Sequence, residues 1–176
     1  MNVLIVEDEN TKYNEIIATL KSMCINNIER ACNAKEALSL MRIINFDLVL
    51  IDMTLPFADD NRQLNTIAGK ELLFDMLTEE VEIPSIVVTR YSNFGPTRKP
   101  LCQEECALTY LFNENFGLDF EERYYLNTRQ FDITTFSGMH CYLKNNIPFY
   151  AGIVFFTQQN NLWRDNLIRI MEKIKK

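Results

Sequence analysis

Phe46-Asp47-Leu48-Val49-Leu50-Ile51-Asp52-Met53-Thr54-Leu55-Pro56 is the stretch that decides the fold. Residues 46–51 are densely apolar and do not alternate, so the segment reads as a strand buried on both faces, the signature of a parallel sheet. It ends abruptly at Asp52. Upstream, residues 3–6 form a second apolar run that ends in Glu7, Asp8 and Glu9. Downstream, residues 83–88 form a third, ending at Thr89. Between them, Tyr13, Ile16, Ile17, Leu20 and Met23 recur at helical spacing, as do Ala34, Ala37, Leu38, Met41 and Ile44, and then Leu72, Leu73, Met76 and Leu77. Residues 26–31 add a weaker strand. Residues 153–156 and the face Trp163, Leu167, Ile170, Met171 and Ile174 close the chain with one more strand and helix. Strands and helices in this alternation predict an α/β, doubly wound parallel sheet with right-handed crossovers.

Composition narrows the function. The 176 residues carry a formal charge of −6, with 47% hydrophobic and 24% charged residues. A chain of this kind buries a core and is not disordered. The acidic balance argues against nucleic acid as a partner, since phosphate-backbone binding needs clustered cations. No apolar run reaches the roughly 20 residues of a membrane span, and the start lacks the pattern of a signal peptide. Five cysteines, an odd number, are expected to be reduced thiols in a cytoplasmic protein.

In a doubly wound sheet, chemistry gathers outside the carboxyl ends of the strands. Here those ends carry Glu7 and Asp8, then Asp52, then Thr89. Carboxylates converging on one crevice repel each other and are stable together only if a cation neutralises them or some stay protonated. Oxygen ligands of this kind suit a hard ion such as Mg²⁺. A carboxylate beside such an ion is a plausible phosphoryl acceptor, and the Thr89 hydroxyl is a plausible donor to a phosphoryl oxygen.

Residues 3–9, 46–56 and 83–89, in this order and spacing, resemble a response-regulator receiver domain. Ala31-Cys32-Asn33-Ala34-Lys35-Glu36-Ala37-Leu38 resembles that family's passage into its second helix. The resemblance implies a flavodoxin-like five-stranded sheet of order 2-1-3-4-5. It implies that Asp52 is the phosphoacceptor and that Glu7 and Asp8 are the acidic metal pair, with Glu in the first place instead of the commoner Asp. It implies a metal contact from the Thr54 backbone carbonyl, and a phosphoryl-contacting and switching role for Thr89. Pro56 matches the proline of the following loop.

The departures are specific. The family's glycine after that proline has its counterpart only at Gly69. Insertions are therefore expected at about 57–68 and 90–135, and removing them leaves a single domain of about 120 residues. Arg90 stands where the family has a small residue. The window Phe156-Thr157-Gln158-Gln159 lacks the lysine, commonly followed by proline, that in the family pairs with the phosphoryl group. Arg90 and Lys99 are the substitutes considered. A helix at 134–144 is expected inside the aromatic-rich 90–149 region. Cys102 and Cys106 with His140 and Cys141 are a weak zinc pattern, because adjacent His and Cys ligate one tetrahedral ion awkwardly.

The reading is a stand-alone atypical receiver of two-component signalling. It is a phosphoprotein and not an enzyme, beyond self-phosphorylation and a possible autophosphatase activity. Its expected partners are a histidine kinase or phosphotransfer protein and a possible protein effector on the insertion, with no nucleic acid and no membrane. The alternative is a phosphorylation-independent pseudo-receiver that binds proteins through the 90–149 insertion.

Overall fold

The computed structural model describes residues 1–56, 68–90 and 136–175. The expected insertions lie almost wholly outside them, as do Lys99, Cys102 and Cys106. The sheet has five strands in the order β2-β1-β3-β4-β5, flanked by helices, which is the expected flavodoxin-like arrangement. The chain divides into two compact units, Met1–Val87 and Val88–Lys176, with the division falling inside β4.

The first unit begins with β1 (Asn2–Val6), followed by α1 (Asn10–Ser22), β2 (Asn27–Ala31), α2 (Ala34–Ile43), β3 (Leu48–Ile51) and α3 (Ala68–Thr78). β1 pairs in parallel with both β2 and β3, and Val3, Leu4, Ile5 and Val6 are fully buried, as are Leu48, Val49, Leu50 and Ile51. Burying each of these side chains contributes about 1.5–3 kcal/mol. β3 starts two residues later than the apolar run predicts. Asp47 anchors the corner beside it: its N–H donates to the Asn2 carbonyl (2.8 Å), and its carboxylate accepts the Asn2 N–H (2.6 Å). β2 is an edge strand with polar residues at alternate positions, a pattern that discourages pairing with another chain. Asn33 caps α2 by accepting the Glu36 N–H (2.7 Å), while the Glu36 carboxylate accepts the Cys32 N–H (2.6 Å). This near-reciprocal pair is why the 31–38 passage turns into a helix so sharply.

β4 (Ser85–Thr89) is fully buried and pairs in parallel with β3. Pro84 precedes it and supplies only a carbonyl, to the Val49 N–H at 2.9 Å. Proline has no N–H to give a ladder, so the strand begins at Ser85 instead of residue 83.

The second unit adds α4 (Phe136–Asn146), β5 (Tyr150–Phe155) and α5 (Leu162–Ile174). α4 ends two residues beyond the expected 144, because Asn145 and Asn146 donate back to the Cys141 and Tyr142 carbonyls at 2.8 and 2.7 Å. α5 buries Trp163, Asn166, Leu167, Ile170 and Met171, the face its spacing predicts except that Ile174 is only half-buried. The Phe156 N–H donates to the Thr89 carbonyl (2.7 Å), and the Phe156 ring packs on Trp163 with centroids 4.7 Å apart. No helix among the described residues is long and apolar enough to cross a membrane. Cys24, Cys32 and Cys141 are in no disulfide.

His140 on α4 is buried, and its Nδ1 lies 2.7 Å from the Tyr150 hydroxyl. Burial, reinforced by the Lys144 charge, lowers the imidazole to about 3, while burial raises the Tyr150 hydroxyl above its ordinary value. The sign follows from proton counting. Below about 6.5 an unfolded chain gains a proton at His140 that the folded chain refuses. Stability from this residue is thus full above pH 6.5 and falls by about 1.4 kcal/mol per pH unit toward pH 3. Urea unfolding at pH 7.5 and pH 5 should differ by about 2 kcal/mol more in the native sequence than in His140→Gln. Equal pH slopes for the two proteins would contradict a neutral buried imidazole.

Candidate functional site

The site forms where β1 and β3 end, and its side chains all belong to the first unit. Parallel pairing sets Val6 beside Ile51 in register, and the Asp52 N–H donates to the Val6 carbonyl at 3.0 Å. The next residues of both strands are acidic, so Glu7, Asp8 and Asp52 meet. Their ligating oxygens all lie within 4.8 Å of one another. Glu7 and Asp52 are buried and Asp8 is exposed.

The occupant of this acidic crevice is a residue that the sequence reading passed over. Lys12 is buried, with a side chain only 1% exposed. Its Nζ lies 2.6 Å from Glu7 Oε2 and 3.0 Å from Asp52 Oδ1. The ammonium therefore bridges the ends of β1 and β3. The other oxygens of both acids are also engaged. Glu7 Oε1 accepts the Glu9 N–H at 3.0 Å, and Asp52 Oδ2 accepts the Thr54 hydroxyl at 2.9 Å. Burial pushes the Glu7 carboxyl up to about 7 against the opposing pull of Lys12, with the Asp52 charge adding to the rise. Burial raises Asp8 as well, with the Asp52 charge a smaller contribution in the same direction.

The α1 face explains why Lys12 was missed. Spacing of apolar residues alone selects Tyr13, Ile16, Ile17, Leu20 and Met23. The helix in fact buries Lys12, Ile16, Thr19 and Leu20, while Tyr13 and Ile17 are half-buried. The signal was present: residues 12, 16 and 19 follow the i, i+4, i+7 spacing of one helical face. A cation on that face, four residues before a buried isoleucine, needs an anionic partner.

Arg30 on β2 was also missed. Its guanidinium donates to the Glu7 carbonyl (2.9 Å), the Asp8 carbonyl (3.0 Å) and Asn10 Oδ1 (2.7 Å), and it lies 4.2 Å from the Tyr13 ring centroid. It clamps the backbone of the acidic loop and sets the direction in which Glu7 and Asp8 leave β1.

Gly69 stands where the sequence reading put the family's glycine. Its N–H donates to the Met53 carbonyl at 3.2 Å, and a Cβ there would sit 2.2 Å from the Asp52 carbonyl oxygen and 2.7 Å from Met53 Cα. Only glycine lets α3 begin this close to the turn at Asp52 and Met53. Pro56 accepts the Ala34 N–H at 3.3 Å, tying the same turn to the start of α2. Thr89 is buried at the end of β4. Arg90 follows it, with its guanidinium 5.1 Å from the Phe156 ring centroid.

A hard divalent ion fits this donor set. All ligating side chains offer oxygen, and an octahedral ion with bonds of about 2.1 Å needs oxygens about 3–4 Å apart. The carboxylates would close by less than an ångström or so to meet that spacing.

No family model matches the chain. The Detocs response regulatory protein DtcB from Enterobacter cloacae is 25% identical over 105 residues, covering 52% of this chain and 67% of that protein. Among solved structures, a CheY-like response regulator receiver domain protein from Methanospirillum hungatei is 21% identical, with a TM-score of 0.51 and coverage of 99% and 93% of the two chains. The response regulator TrrA from Thermotoga maritima, solved with Mg²⁺ and beryllofluoride, is 17% identical, with a TM-score of 0.52 and 99% coverage of both chains. The chain thus has the fold of a response-regulator receiver domain.

Two outcomes follow from the packing of the site. Gly69→Ala should destabilise the protein by about 1–3 kcal/mol, the usual cost of overpacking where backbone must move, as read by urea unfolding. Lys12→Met should cost about 3–5 kcal/mol, because it strands two buried carboxylates, and Glu7→Gln in the same chain should recover much of that loss. A double-mutant cycle by urea unfolding measures the recovery.

Proposed function

We propose that the protein is a receiver of two-component-type signalling that accepts a phosphoryl group on Asp52. The observation that supports this best is the meeting of Glu7, Asp8 and Asp52 at the ends of adjacent parallel strands, in a chain with the receiver fold. Asp8 and Asp52, with Glu7 and the Thr54 carbonyl, would hold Mg²⁺. When bound, that ion supplies charge neutralisation for an approaching phosphoryl dianion.

The remaining chemistry belongs to the chain. An Asp52 carboxylate oxygen attacks the phosphorus of a phosphohistidine on a kinase or phosphotransfer partner. A P–O bond forms and the P–N bond breaks. The departing imidazole nitrogen keeps the electron pair and takes a proton from water. The Thr54 hydroxyl, already on Asp52 Oδ2, fixes the rotation of the acceptor carboxylate. The product is an acyl phosphate, one charge more negative than the carboxylate it replaces. Thr89 is assigned to the phosphoryl oxygens and to the switch that reports them. In this role the protein is an acceptor, with no turnover of an external substrate.

Incubation with acetyl phosphate and Mg²⁺ should add the mass of one phosphoryl group, and Asp52→Asn should abolish the addition. A native protein that stays at its original mass, with beryllofluoride and Mg²⁺ also producing no adduct, would remove this reading.

A further inference from the structure

Lys12 does not belong to any metal or acceptor set considered so far, yet it touches both. We propose that Lys12 is the phosphoryl-contacting cation of this protein: it bridges Glu7 and Asp52 before phosphorylation and passes to the phosphoryl oxygens on Asp52 afterwards. The inference rests on Asp52 being the acceptor.

Geometry is the first ground. The ammonium is 3.0 Å from Asp52 Oδ1 and is held there by Glu7 at 2.6 Å. A phosphoryl group on Asp52 extends its oxygens only a bond or two beyond the carboxylate, within the swing of a four-carbon side chain. The second ground is charge. With Glu7, Asp8 and Asp52 all ionised, three carboxylates face one ammonium. The remainder is two negative charges, which one divalent ion cancels. Phosphorylation adds one more, and the cation already at the acceptor is Lys12. The third ground is burial. A fully buried lysine side chain is costly unless its charge is used, and here it sits on the buried face of α1, one turn before Ile16. Moving the ammonium from Glu7 toward a phosphoryl group would therefore be felt along α1. By contrast, Arg90, a candidate substitute from the sequence, lies over the Phe156 ring.

The test uses the full chain as the native sequence, as Lys12→Met, as Glu7→Gln and as Glu7→Gln with Lys12→Met. The double variant removes one charge of each sign and so remains folded if the single variant does not. Two quantities are read: Mg²⁺ affinity by titration calorimetry, and the rate of Asp52 phosphorylation by acetyl phosphate at saturating Mg²⁺, followed by mass. Lys12→Met should bind Mg²⁺ at least tenfold more tightly, since a neighbouring positive charge is gone, and yet be phosphorylated at least tenfold more slowly. Damage to the fold would lower both, so the opposite directions identify the role. The double variant should be phosphorylated at least tenfold more slowly than Glu7→Gln alone, which lacks the same metal ligand but keeps Lys12. Phosphorylation of the double variant within twofold of the Glu7→Gln rate would overturn the proposal while leaving Asp52 as acceptor. A native chain that takes no phosphoryl group would overturn both.

Discussion

A buried ammonium among carboxylates is the constraint around which the first unit is arranged. Parallel strands that end in register deliver acidic side chains to one place, and the crevice they form is closed to water at Glu7 and nearly so at Asp52. Such a cluster persists only with positive charge beside it or with part of it protonated. Lys12 supplies it from α1, and Arg30 supplies it to the carbonyls of the same loop from β2. Each secondary-structure element nearest the acids therefore contributes either an anion or its neutraliser. The ends of the strands, the first helix and the turn after β3 are connected through electrostatics as well as through packing.

This arrangement changes what a divalent ion would mean for the protein. A crevice of bare carboxylates would depend on metal for its stability. Here an internal cation already offsets part of the repulsion, so the fold and the ion-binding chemistry are partly uncoupled. The cost is competition, because the ammonium and an incoming ion favour the same oxygens. The relatives share the architecture at low identity, 21% and 17% for the two receiver structures.

Much of this was legible in the linear sequence, for clear reasons. Buried parallel strands are written as unbroken apolar runs, and so 3–6 and 46–51 marked the sheet centre and the acids that follow it. Strand limits slipped by a residue or two wherever a proline or a corner hydrogen bond decided them, as at Pro84 and Asp47. Gly69 was singled out through the family resemblance, while the close approach that demands a glycine there is visible only in the structure. Lys12 was missed because periodicity was counted on apolar residues, which leaves out a charged residue on the inward face. Arg30 was missed because its partners are backbone carbonyls, and carbonyls carry no sequence signature. Of the zinc pattern, His140 is a buried imidazole with Nδ1 2.7 Å from the Tyr150 hydroxyl, while Cys102 and Cys106 lie outside the described residues.

The close approach at Gly69 has a consequence for how the gene can drift. Codon changes at that position place a carbon against the Asp52 carbonyl, so the position admits almost no variation. The number of residues between Pro56 and the start of α3 is under the opposite regime, since lengthening a connection costs little free energy. Extra residues can accumulate there as long as the chain returns to a glycine at the same point. Relatives of this protein should then be aligned on that returning glycine, and a gap penalty that forbids a long insertion before it would misplace the whole third helix.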